Sequence, residues 1–367
     1  MKTINSICII GGGTAGWMSA AFLYNKNPKL KITIVDKEIG TPVSVGEATI
    51  LNFGSFMDQC GFDSAEWFSS IDATYKSGIL FPDWVEEGKD VWHPFFMNPT
   101  LDSGETSHDA WCKNKDLDFV EYALPMYYNS MENKVDKNEI GAYGFQIDCG
   151  KLVEYLRKKL DNKITYIESE AVEMFKYKNH LVKLLLKNNM EVTSDFFIDC
   201  SGWESLLKEP DKIDLTSRLF CDTAIATRVP YNDRKTEMKP YVVSRSVDCG
   251  WIWEIPIRTR IGSGLVFNKS ITPIEEAKQH LIKHWDNRIT EEDLKVLNWT
   301  PYYCKNIWED NIVSIGLSAG FIEPLESTGL ALMIDGLKKL QTKIADGTWN
   351  NLDKDLYNLE MQSAFEE

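Results

Sequence analysis

Ser6-Ile7-Cys8-Ile9-Ile10-Gly11-Gly12-Gly13-Thr14-Ala15-Gly16 decides the fold. The run before the glycines is short and continuously apolar, as a parallel strand buried on both faces requires. Gly-x-Gly-x-x-Gly follows, and Trp17 to Asn25, rich in Ala, Met and Leu, reads as a helix opened by those glycines. Lys31 to Val35 is a second strand, with Asp36 at its end. The result is a βαβ unit in which each part has a task. Gly11 permits the tight turn, Gly13 lets the backbone approach a pyrophosphate, and Gly16 allows close helix–strand packing. The helix start at Thr14 and Ala15 supplies free N–H groups and a positive dipole end. Asp36, with Lys37 beside it, accepts from a ribose diol. The unit predicts dinucleotide binding and by itself does not choose between FAD and NAD.

Working outward, 367 residues predict about two domains. Net charge of −15 argues against nucleic acid or an anionic membrane as a partner. The eight cysteines form no Cys-x-x-Cys pair and do not cluster with the five histidines, which argues against a metal site or a disulfide framework. The start shows no signal-peptide core, and no apolar run is long enough to span a membrane, so a reducing cytoplasm is the expected location.

Further along, Gly46-Glu47-Ala48-Thr49 reads as a loop entering a helix, with Thr49 as its cap. Residues 82–140 read as irregular with short helices, and 151–160 as an amphipathic helix. Strand-like runs follow at 164–173, 180–187 and 190–198, the last entering a glycine turn at Ser201-Gly202. Residues 222–268 read as a β-sheet region, 273–286 as a helix capped by Thr272-Pro273, 311–316 as a strand, and 329–343 as a periodic helix. Within the sheet region, Gly250-Trp251-Ile252-Trp253-Glu254-Ile255-Pro256 alternates, placing Trp251, Trp253 and Ile255 on one face. Two aromatics there make a wall, and core packing alone would also account for them.

Together these landmarks resemble the flavin-dependent halogenases, the tryptophan-halogenase-like branch of the FAD monooxygenase superfamily. The resemblance rests on Gly11-Gly12-Gly13-Thr14-Ala15-Gly16-Trp17, on the flavin-strap segment Gly46 to Thr49, and on Thr74-Tyr75-Lys76-Ser77-Gly78-Ile79 with Trp84. It also rests on the Trp-x-Trp-x-Ile-Pro run and on Phe321-Ile322-Glu323-Pro324-Leu325-Glu326-Ser327-Thr328-Gly329. It implies an α/β (mixed α+β) architecture: an FAD-binding Rossmann-like fold of the monooxygenase type, interwoven with a β-sheet and helical substrate-binding region. The expected division is an FAD-binding domain from 1–50, 145–205 and 305–345, a substrate-binding region from 51–144 and 206–304, and a short helical tail, 346–367. A flavin monooxygenase usually shows Gly-Asp-Ala before its last flavin helix; here Gly316-Leu317-Ser318-Ala319 stands instead. Tryptophan halogenases also carry a long helical C-terminal region over the substrate, and this sequence stops soon after the 329–343 helix, so tryptophan specificity is not carried over.

The activity implied is halogenation by an oxidoreductase that uses reduced FAD (FADH2), oxygen and a halide (chloride, bromide or iodide) to make hypohalous acid. The substrate implied is a small electron-rich aromatic, indole- or phenol-like. The resemblance also implies a separate NAD(P)H-dependent flavin reductase and is compatible with a homodimer. In it Lys76 steers the hypohalous acid, Glu326 polarises it and accepts the ring proton, Ser327, Thr328 and Gly329 hold the halide, and Trp251 and Trp253 keep substrate from the flavin. Glu47, Ala48, Thr49, Gly316 and Leu317 join the glycine loop, Asp36 and Lys37 around FAD. Each has a plainer reading: a snorkelling surface lysine, a carboxylate at a helix start, a serine N-cap. Glu323 competes with Glu326. An aromatic hydroxylase and a flavin-binding oxidoreductase without halogenation are the alternatives; Ser201-Gly202 favours FAD over NAD.

Overall fold

The computed structural model describes all residues except 1, 38–45, 96, 98–99, 101–102, 114–118, 120–122, 125 and 136–141. Parts of the 82–140 segment therefore lie outside the described residues.

The chain is a mixed α/β protein built on two large sheets. In the first, Ser6–Ile10 is central, pairing in parallel with Lys31–Asp36 on one side and Phe196–Asp199 on the other. Thr165–Glu168 extends it beyond Lys31–Asp36, and Ile312–Ser314 beyond Phe196–Asp199. The central run is apolar throughout because both faces are covered. Ile7 and Ile9 join the cluster beneath the helices, with Trp17, Phe22, Leu156 and Leu337. Cys8 and Ile10 join the opposite cluster, with Leu181, Leu184 and Leu186 from an antiparallel ribbon. The helices Thr14–Lys26, Cys149–Leu160 and Thr328–Lys343 lie where periodicity predicts them.

The second sheet has seven strands among the described residues, in the order 295–298, 223–229, 261–267, 250–256, 242–247, 78–82 and 90–94. It is antiparallel except where Val242–Val247 meets Gly78–Pro82. The 82–140 segment thus contributes a strand of its own, Asp90–Pro94.

Several sequence boundaries need correction. The run 164–173 is two strands: Thr165–Glu168 stays in the parallel sheet, and Ala171–Tyr177 turns into the ribbon. The run 190–198 also divides, into Glu191–Thr193 and Phe196–Asp199, because Asp195 between them accepts the N–H groups of Asn5 and Ser6. Thr49 caps no helix. Its hydroxyl accepts the Phe145 N–H at 2.8 Å, tying the Glu47–Ala48 strand to Gly144–Ile147. Helix Ile274–His284 has Pro273 as its N-cap and no side-chain cap bond.

Candidate active site

A cavity of about 520 Å³ opens at the C-terminal edge of the parallel sheet, the place where ligands sit in open α/β sheets. Gly11, Gly13, Thr14, Ala15, Asp36, Lys37, Glu47, Gly316, Leu317 and Gly329 all line it. The glycines divide by task. Gly11 has φ +106°, and a Cβ there would meet the Cys200 carbonyl at 2.3 Å. A Cβ on Gly16 would meet the Gly11 carbonyl at 1.9 Å, so Gly16 is helix–strand packing and does not line the cavity. A Cβ on Gly13 would meet nothing within 4 Å. Asp36 faces the loop: a Cβ on Gly12 would meet its Oδ2 at 2.4 Å. Burial pushes the Asp36 carboxyl up, and the Gly12 N–H and neighbouring Lys37 oppose that.

This cradle fits a dinucleotide, and it separates two substitutions. Gly16→Ala is expected to lower the melting temperature of the apoprotein, because backbone must move. Gly13→Ala is expected to leave that temperature unchanged and to weaken FAD binding, since its methyl projects into the cavity. FAD titration and thermal melts of the two apoproteins check both, and equal effects on both measurements would refute the division. Sequence reading missed Ser169, Glu170 and Ala171, which follow the edge strand, and also Cys149, Met333 and Tyr357 along the cavity. None carries a motif; an element order placing 165–168 beside Asp36 was the only available signal.

A second cluster adjoins the cavity. Strand Thr74–Lys76 pairs with Gly144–Ile147, and Lys76 stands opposite Gly144. After Ser77 the chain leaves this small sheet for the seven-stranded one. Lys76 therefore sits at the seam between them and is completely buried. Its Nζ donates to Ser327 Oγ at 3.0 Å and lies 4.9 Å from the centre of the Phe95 ring. Burial lowers the Lys76 ammonium to about 7, against the pull of Glu47 and Glu326. Burial raises Glu47 to about 7, with the Ala48 N–H and Lys76 opposing. The snorkelling reading of Lys76 is thus excluded.

The sign of the resulting stability term follows from linkage. Below pH 7, Lys76 is charged in both folded and unfolded chains, and the folded state bears the full cost of burying it. Between pH 7 and its ordinary 10.5 the folded amine is neutral, binds fewer protons than the unfolded chain, and the cost fades as pH rises. Lys76→Met should raise the melting temperature, most strongly below pH 7, where Glu47 is protonated and no buried charge is stranded. Melting curves from pH 5.5 to 9 check this; a gain independent of pH would contradict it.

Ser327 occupies the N-cap position of helix Thr328–Lys343 in a left-handed conformation, φ 65°, and makes no side-chain cap bond. Its hydroxyl serves Lys76 instead, correcting the capping reading. The Thr328 hydroxyl is buried without a partner among the described residues, and Gly329 faces the cavity. The two carboxylates of this turn separate: Glu326 is exposed and acts on Lys76, while Glu323 accepts the Trp251 indole N–H at 2.6 Å.

Trp251 is 3% exposed and packs on Cys221, Ala224 and Val266. Trp253 lies beside it, ring centres 6.2 Å apart. Gly264 makes room for the second indole: a Cβ there would meet Trp253 Cη2 at 2.2 Å. Ala48 packs with Ile255, Ile79 and Val242, with Trp253 at its edge, so the strap segment rests against the wall strand. Ala48, Thr49, Lys76, Glu326, Ser327, Thr328 and both tryptophans stand outside the cavity lining.

A family model described as tryptophan halogenase matches residues 6–367. Tryptophan 6-halogenase ThaL of Streptomyces albogriseolus is 29% identical over 396 residues, covering 99% of this chain and 74% of that protein. BrvH, a flavin-dependent halogenase from Brevundimonas sp. BAL3, superposes with a TM-score of 0.88 at 29% identity, covering 99% of this chain and 77% of that one. Xcc4156, a flavin-dependent halogenase from Xanthomonas campestris, gives a TM-score of 0.90 at 28% identity, covering 99% and 75%. The chain thus spans about three quarters of the length of these relatives.

Proposed function

The chain belongs to the tryptophan halogenase family, and from that premise we propose how its own residues divide the work. It is a flavin-dependent halogenase acting on an aromatic substrate. The flavin, when bound and reduced, supplies with O2 the oxidation of halide to hypohalous acid: FADH2, O2, halide and a proton give FAD, water and hypohalous acid. Gly11 to Ala15 hold the pyrophosphate, Asp36 and Lys37 the ribose, and Glu47, Gly316 and Leu317 flank the flavin, with the buried Ala48 and Thr49 fixing the strap behind Glu47. The Ser327–Gly329 turn holds the halide through first-turn N–H groups that a helix cannot satisfy itself.

Hypohalous acid then transfers its halogen to the ring, and the ring proton leaves as water forms. Lys76 receives and orients the acid. Glu326 beside it polarises the transfer and takes the proton. Trp251 and Trp253 stand between oxidant and substrate, leaving the small acid as the only traveller. The observation that supports this reading best is the completely buried Lys76, bonded to Ser327 and within electrostatic reach of Glu326. A buried amine whose surroundings lower its affinity for the proton is the kind of group that active sites use.

The substrate proposed is a small indole- or phenol-like aromatic, and the flavin is reduced by a separate NAD(P)H-dependent reductase. Protein supplied with FAD, a flavin reductase, NADH and O2 is to be tested on a panel of indoles and phenols, with chloride, bromide and iodide in parallel. Halogenated product is the expected outcome. Hydroxylated product formed without halide would overturn the assignment.

A further inference from the structure

Glu323 is the carboxylate of the catalytic turn that halogen transfer leaves unused. Besides accepting the Trp251 indole N–H, its carboxylate acts on the nearby Cys221 thiol. Its backbone is extended, φ −60° and ψ 133°, as the following Pro324 requires, and this aims the carboxylate at the wall strand. Two residues on, Leu325 packs at the edge of the Trp251 cluster. The turn carrying Glu326 and Ser327 is therefore fastened to strand Gly250–Pro256 by a charge-assisted hydrogen bond and an apolar contact. An indole packed only by apolar neighbours could rotate or slide; a carboxylate on its N–H allows one orientation.

We infer that Glu323 is a positioning residue. It locks the Trp251 ring and so keeps the wall in register with the Lys76–Glu326 pair, directing the oxidant to substrate. This rests on the partition reading of Trp251. The quantity it controls is coupling, the halogenated product formed per FADH2 consumed, and FADH2 oxidation itself is unaffected. A merely structural glutamate would change melting temperature and turnover together and leave that ratio alone.

The test compares Glu323→Leu, which removes the acceptor, with Glu323→Gln, which keeps an amide oxygen there. Coupling should fall several-fold in the first and be largely restored in the second. Trp251→Phe, which deletes the N–H, should lower coupling similarly, and adding Glu323→Leu to it should cause little further loss. Full coupling in Glu323→Leu, whether or not its melting temperature changes, overturns the inference, as do additive losses in the double variant. If Glu323→Leu does not fold, full coupling in Trp251→Phe overturns it instead. Trp251→Ala distinguishes the two readings. Lost coupling there with full coupling in Glu323→Leu removes the clamp and keeps the wall, whereas full coupling in Trp251→Ala removes the wall itself.

Discussion

Lys76→Ala is expected to reduce halogenated product by about 10²- to 10⁴-fold, the range for losing a positioned proton donor or acceptor. FAD affinity should not change, because Lys76 does not line the cavity proposed to hold the cofactor. Oxidation of FADH2 should continue, and its oxidising equivalents should escape as free hypohalous acid, which a small 1,3-diketone trap detects by its own halogenation. The lysine bonds Ser327 and feels the charge of Glu326, and alanine offers no amine there to hold the acid. Because burial sets Lys76 at about 7, the rate of the wild-type transfer step should also inflect near pH 7. Wild-type rates in Lys76→Ala would remove the lysine from the mechanism.

Glu326→Gln is expected to lower kcat by roughly 10²- to 10³-fold, since an amide cannot accept the ring proton. The same change removes a negative charge beside the proposed halide turn. Like charges repel, so the KM for halide should fall while kcat falls. That split separates loss of a base from loss of a fold. Glu323→Gln serves as the control: three residues earlier, its carboxylate is committed to Trp251, and halogenation should remain within a few-fold of wild type. Steady-state kinetics against bromide at saturating substrate measures both constants. An unchanged kcat in Glu326→Gln would assign the proton to another group.

Local pattern carried much of this protein. The Ser6–Ile10 strand, its glycine turn, the following helix and Asp36 stand where their residue types placed them, because a doubly buried strand needs a continuous apolar run and the turn needs glycine. Failures came where the chain changes partners without changing composition. Residues 164–173 look like one strand, yet Ser169 and Glu170 mark the point where the chain leaves the parallel sheet for the ribbon. Thr49 and Ser327 both look like caps; one instead binds a neighbouring strand and the other the lysine. A hydroxyl before a helix has several possible acceptors and donors, and distant chain chooses among them.

The dinucleotide cradle is legible without coordinates, because glycine spacing, helix start and terminal acid lie within about thirty residues and act through local geometry. The sequence also placed Lys76, Trp251 and Glu326 on recognisable segments. What those residues face depends on contacts between distant parts of the chain. Lys76 lies 251 positions from Ser327, and Glu323 lies 72 from Trp251. The Thr74–Lys76 strand alternates equally well with its lysine outward or inward. Burial came from the seam between two sheets, the bare Gly144 opposite, and the turn at 327. Those contacts shift the lysine, divide the two glutamates, and tie the packed tryptophans to the turn that carries Glu323.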